Sequence, residues 1–267
     1  MRLHFLLVHG NWGDVWTWRL FARNVAAEGF GYTLLSNPNR KPKGGVGPIQ
    51  VTSTADYTKH VFDAADRIKA ETGDYPVIVG HSLGAVLAMQ AAALGKARAL
   101  ILAAPSLPSN MPQPLLSLAN LRLFLPWIIG GIKRRTLEYS FKPTLDGTRC
   151  LLKGWPEESI ELIHKNLQHD SGLILKEFAK NLPAAQAELG KIACPTLCIA
   201  GLQDEASPPD QVQRIAEAIP GARFSQVDSH HFFMLEKPLA DLLSAGVIRF
   251  LGSALASEDA NSMLESA

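Results

Sequence analysis

The chain has 267 residues, of which 47% are hydrophobic and 19% charged, with a formal net charge of +1. That length can bury a large core as one α/β domain, and a charge balance so near neutral leaves no basic footprint for nucleic acid. Three cysteines, Cys150, Cys194 and Cys198, form no CxxC pair, so neither a disulfide scaffold nor a zinc site is indicated.

In chain order, short apolar bursts alternate with helical patterns. The first burst, residues 4–8, follows only Met1-Arg2-Leu3. It is too short for the apolar region of a secretion signal and lacks a small-residue cleavage site, so a cytoplasmic protein is expected. Helical periodicity at 16–28 precedes a second burst at 32–35. RKPKGGVG, residues 40–47, reads as a surface loop from its Gly, Pro and Lys content. A helix at 54–71 leads to a burst at 77–79, a helix at 85–94 and a burst at 99–103. Residues 105–189 hold apolar and helix-like stretches but no segment bounded like a strand, and are expected to form an inserted helical lid. Within it, LLSLANLRLFLPWIIGGI (residues 115–132) carries Asn120, Arg122, Pro126 and a Gly130-Gly131 pair. It falls short of the ~20 clean apolar residues of a membrane span. Lys133-Arg134-Arg135 beside it reads as solvated charge, and no membrane contact is expected. Bursts at 196–200 and 223–227, with helices at 210–218 and 239–251, complete the pattern; Cys194 and Cys198 flank and enter the first of these bursts as small apolar residues. Such alternation predicts βαβ units, hence an α/β fold with an open, mostly parallel sheet flanked by helices. A single domain over 1–252 is expected, with 253–267, polar and small, as a flexible tail.

The stretch VIVGHSLGAVLAMQ, residues 77–90, passes from strand to helix through Gly80-His81-Ser82-Leu83-Gly84. A nucleophilic hydroxyl must stand clear of the surface, and a tight strand-to-helix turn lifts it there. Gly80 and Gly84 let neighbouring backbone approach, and the helix N-terminus favours negative charge. Serine also needs a base to take its proton and an acid to hold that base. AGLQDEASPP sets Asp204 just beyond a strand, and DSHHFFMLEKP sets His230 and His231 after the last strand. In an open α/β sheet, sites gather at the carboxyl ends of strands, where Ser82, Asp204 and a histidine at 230 or 231 all fall. HGNWG after the first burst supplies a fourth part. There the backbone N–H of Asn11, with that of Leu83, can meet the oxyanion of a tetrahedral intermediate.

LLVHGNWGDVWTW, VGHSLG, AGLQDEASPP and HHFFMLEKP together resemble the motifs of the α/β-hydrolase superfamily, and within it the small single-domain serine hydrolases that open with a VHGxW segment. The resemblance spans nearly the whole chain, up to about Gly252. It implies Ser82 as nucleophile, Asp204 as acid, and Asn11 and Leu83 as oxyanion donors. The closing motif is similar to Gly-His-x-x-x-x-Glu-x-Pro and aligns its histidine with His231, five before Glu236, although His230 stands at the usual glycine. No room remains before His4 for the antiparallel strands that commonly open the superfamily's sheet, so about six strands are expected.

Other residues carry plainer readings. His81 is expected to pack or to bond backbone, His9 to orient the loop after the first strand, and His164 and His169 to be solvated on a polar helix face. Trp12, Trp16 and Trp18 read chiefly as core. The expected function is a serine hydrolase cleaving carboxylic esters through an acyl-enzyme, with no metal or organic cofactor. Its partner would be a small lipophilic ester, because residues 115–129 are dense in apolar side chains. Two alternatives use the same residues: a hydroxynitrile-lyase-like enzyme cleaving C–C bonds with the triad, and a non-catalytic module binding a small apolar ligand. Oligomeric state is not legible in the sequence.

Overall fold

The computed structural model describes residues 3–38, 51–112 and 118–265. The surface loop expected at 40–47 lies outside the described residues, as do Leu115 and Leu116. The first half of the chain runs β1 (His4–Val8), α1 (Arg19–Ala27), β2 (Gly31–Leu35), α2 (Thr54–Thr72), β3 (Val77–His81), α3 (Leu83–Ala93) and β4 (Ala99–Ala103). An insertion follows, holding α4 (Leu118–Arg134), β5 (Ser140–Phe141), α5 (Leu145–Leu151), α6 (Glu157–Asn166), β6 (Asp170–Ser171) and α7 (Gly172–Ala179). The chain then returns through β7 (Thr196–Gly201), α8 (Pro209–Ala218), β8 (Arg223–Val227) and α9 (Lys237–Glu265).

Six of these strands form one sheet in the order β2-β1-β3-β4-β7-β8, every pair parallel. Interior strands of a parallel sheet are covered on both faces and read as unbroken apolar runs. β1 beyond His4, β3, β4 and β7 are accordingly buried along their lengths, whereas edge strand β8 exposes Arg223, Ser225 and Gln226. On one face Phe5, Leu7, Val79 and Ile101 pack against Phe21 and Val25 of α1 and Leu243 and Val247 of α9. On the other, Leu6, Val8, Ile78 and Leu100 pack against Val61 of α2, Val86 and Leu87 of α3, and Val212 and Ile215 of α8. Full burial of each such side chain stabilises by roughly 1.5–3 kcal/mol. A polar clasp ties α1 to α9, because Asn24 Nδ2 donates to Asp241 Oδ1 at 2.9 Å and to Ser244 Oγ at 3.1 Å.

α9 is long and apolar enough over Lys237–Ala256 to cross a membrane by length and composition. Its Ala240, Leu243, Val247, Phe250, Leu251 and Ala254 are buried in the core, so here it serves as a packing helix. The backbone of α9 stays helical past Ser253, where the sequence reading sets a flexible tail.

The insertion differs from its sequence reading in two respects. β5 and β6 pair antiparallel, Ser140 with Ser171 and Phe141 with Asp170, although no strand is expected there. The apolar run along α4 also divides. Leu123 and Trp127 turn inward, while Leu125, Ile128, Ile129 and Ile132, spaced to share one helical face, are exposed. Cys198 is buried in β7, and burial pushes its thiol up to about 12, which suits a packing role.

Candidate active site

The sequence-derived site residues all lie at the carboxyl ends of strands of the main sheet. Ser82 occupies the single step between β3 and α3, with φ 52° and ψ −120°. A side chain rarely adopts such a backbone, which costs on the order of 1–3 kcal/mol and persists only when the surroundings impose it. Here they do. Ser82 N–H donates to Ala103 O at 3.2 Å, and Ser82 O accepts from Ala85 N–H at 3.1 Å and Ser106 N–H at 3.1 Å. The elbow leaves the serine half-buried while its neighbours His81 and Leu83 are buried. Leu83 opens α3, so its N–H has no acceptor within the helix and sits at the positive end of the helix dipole.

The turn after β1 closes with Gly13 N–H donating to Gly10 O at 3.3 Å, which places Asn11 and Trp12 at its apex. His9 fixes the base of this turn. Its Nδ1 donates to Gly10 O at 2.8 Å, and its Nε2 accepts from Asn37 N–H at 3.3 Å, which defines one neutral tautomer. The turn and the elbow are in close contact. A Cβ added at Gly10 would stand 2.7 Å from the Cβ of Ser82, and one added at Gly84 would stand 2.4 Å from His9 O and 2.5 Å from Val8 O. Buried backbone carbonyls at the end of β1 cannot give way. Gly84→Ala is therefore expected to destabilise the fold by about 1–3 kcal/mol, read as a fall of several degrees in Tm; a shift of less than about one degree would contradict this contact.

Asp204 follows β7 and is buried. Its Oδ1 accepts from Ala206 N–H at 2.8 Å and Ser207 N–H at 2.9 Å, and its Oδ2 meets His231 Nδ1 at 2.8 Å. Three hydrogen bonds to one carboxylate fix its orientation toward His231. The adjacent Glu205 turns away and pairs with Lys153 of the insertion. His231, after β8, is also tied to the elbow: His81 Nε2 donates to His231 O at 2.9 Å, and the two rings lie 4.7 Å apart. Because a carbonyl only accepts, His81 carries its proton on Nε2. Burial, and next the neighbouring imidazole of His231, hold its pKa well below the usual imidazole value, so it stays neutral and links two loops. The loop bearing His231 is further closed by Ser229 Oγ donating to Glu236 Oε1 at 2.5 Å.

His230 takes a different direction from His231. It is buried, and its Nε2 would stand 3.3 Å from a Cβ at Gly154 in the insertion. His164, read as solvated, instead bonds Thr148 Oγ1 at 2.8 Å, and partial burial lowers its pKa. Trp18 is fully buried, Trp16 stacks on Phe232 at 6.4 Å, and Trp12 packs against Phe141 and Phe124 at 5.4 and 6.1 Å.

Sequence reasoning missed two polar residues. Ser106 Oγ lies 3.3 Å from Ser82 Oγ; its position just past β4, the strand beside β3, was a usable signal. Asp170, buried in β6, accepts from Trp12 N–H at 3.0 Å. Nothing local in the sequence marks it, since the partners are 158 residues apart.

Such a sheet, with a strained serine, a paired aspartate and histidine, and a glycine turn at its carboxyl edge, defines a class of hydrolase. A family model described as an alpha/beta hydrolase family matches residues 5–245, and the chain belongs to that family. No curated protein sequence matches the chain. Among solved structures, a monoacylglycerol lipase from Paleococcus ferrophilus is similar with a TM-score of 0.69 at 19% identity, over 94% of both chains. An esterase from Thermogutta terrifontis is similar with a TM-score of 0.65 at 21% identity, over 94% of this chain and 90% of that one. An enol-lactonase from Burkholderia xenovorans LB400 gives 0.65 at 18% identity, over 94% and 92% respectively. At these identities the likeness carries the fold.

Proposed function

We propose that the protein is a serine carboxylesterase acting on lipophilic esters through an acyl-enzyme. The observation that carries this reading is the buried Asp204–His231 hydrogen bond at the same sheet edge as a strained serine. With Nδ1–H directed at Asp204, His231 keeps Nε2 free of a proton and able to accept one. Ser82 Oγ attacks the acyl carbon and its proton passes to His231 Nε2. The carbonyl oxygen, now charged, is met by the N–H groups of Asn11 and Leu83. His231 then gives the proton to the departing alcohol, and water repeats the sequence to release the acid and regenerate Ser82. Without substrate, the Ser82 hydroxyl meets Ser106; bonds to the base commonly tighten only when a ligand is seated.

The substrate class follows from the insertion, which we read as a lid forming the wall opposite Ser82. Trp12, Phe124, Trp127 and Phe141 form an aromatic group beside the Gly10–Gly13 turn, and Trp16 and Phe232 stack beside His231. The likeness to a lipase and an esterase supports the ester class. Each buried CH₂ contributes about 0.8 kcal/mol, so kcat/KM on p-nitrophenyl esters is expected to rise about tenfold from acetate to butyrate and to stay high at octanoate. A steady fall from acetate to laurate would reject the apolar acyl site, and failure of a fluorophosphonate to label Ser82 would reject the esterase itself.

A further inference from the structure

Trp12 is the residue after Asn11, and its backbone has φ 58°, a left-handed conformation that a bulky side chain rarely adopts. Both of its backbone polar groups are held by the insertion. Trp12 N–H donates to Asp170 Oδ2 at 3.0 Å, and Trp12 O accepts from Gln168 N–H at 2.7 Å. The other oxygen of Asp170 accepts from Tyr57 Oη at 2.6 Å and from Ser171 N–H at 2.9 Å. The carboxylate is 1% exposed, and its backbone is set by the β5–β6 pairing opposite Phe141, whose ring packs on that of Trp12. A buried carboxylate is tolerated when donors satisfy it. This one directs an oxygen at the backbone N–H of Trp12, whose left-handed conformation shapes the Gly10–Gly13 turn.

We propose that Asp170 is a positioning residue for this turn, holding Trp12 so that the Asn11 N–H stays aimed at the oxyanion. The assignment rests on the reading of Ser82 as nucleophile and of Asn11 as oxyanion donor. It also makes the turn's shape depend on the insertion being seated, because Asp170 and Gln168 both belong to it.

Asp170→Asn is the direct test. The amide keeps an acceptor for Tyr57 and Ser171 but presents N–H to the Trp12 N–H, so the turn loses its hold. Loss of one oxyanion donor costs ~10²–10³ in rate; partial misplacement is expected to lower kcat on p-nitrophenyl butyrate about ten- to hundredfold with KM within about twofold. Affinity for a trifluoromethyl ketone, which forms the tetrahedral adduct, should fall by the same factor. Tyr57→Phe, which removes a bond to the same carboxylate without touching Trp12, should lower kcat by less than about threefold. Hydrogen exchange at the Trp12 amide, followed by NMR in the folded variant, should speed up in Asp170→Asn and not in Tyr57→Phe. A folded Asp170→Asn variant with kcat near wild type, a loss that falls on KM, or unchanged Trp12 protection would overturn the proposal. A wild-type protein inactive on every ester, with Trp12 protection still lost in Asp170→Asn, would overturn the esterase reading and leave the hold on the turn standing.

Discussion

Ser82→Ala is expected to remove ester turnover while leaving a folded protein. Single losses of a nucleophile typically cost about 10⁴–10⁶ in kcat, the residue of the rate coming from binding and from the oxyanion donors. The substitution deletes only a hydroxyl whose hydrogen-bond partner is Ser106, so the elbow keeps its backbone bonds to Ala103, Ala85 and Ser106. The measurement is kcat on p-nitrophenyl butyrate beside a thermal melt. A variant with Tm near wild type and turnover within about tenfold of it would remove Ser82 from the mechanism.

His231→Ala is expected to match that loss, and combining it with Ser82→Ala should add little, since groups that act as a unit are not additive. His230→Ala separates the two neighbouring histidines. His231 Nδ1 is bonded to Asp204, whereas His230 is directed at Gly154. The His230 variant should therefore keep activity within about tenfold, losing mainly packing against the insertion. The opposite ranking of the two variants would transfer the base to His230, and a double variant far worse than Ser82→Ala would show that His231 acts outside the serine chemistry.

The sheet was legible because each interior strand is a short β-branched or apolar burst with punctuation on both sides, as in Pro76 before Val77–His81 and Pro195 before Thr196–Gly201. The candidate residues Ser82 and Asp204 could be placed for the same reason, each following a strand that could be located first; the same logic left the histidine at 230 or 231, and the register of the closing motif pointed to His231. Asp170 could not be placed in this way. It sits in a two-residue strand, too short to show alternation, and its partners lie on a turn and a helix more than a hundred residues earlier. The division of α4 was hidden for a related reason. Composition shows that the run is apolar, but which side chains turn inward depends on where the helix meets Trp12 and Phe141. The helical continuation past Ser253 escaped because Ser-Ala-Leu-Ala-Ser is both polar enough to suggest fraying and rich in good helix formers.

The backbone of Ser82 has an evolutionary corollary. At φ 52° and ψ −120° the residue best tolerated by the backbone is glycine, so replacing the serine by glycine is expected to relieve backbone strain. On the proposed mechanism, selection for turnover holds serine there against that strain. A lineage of this chain relieved of that selection should lose its serine to glycine before its strands or its aspartate-histidine pair decay. Glycine at position 82 would then record the order in which an enzyme became a scaffold.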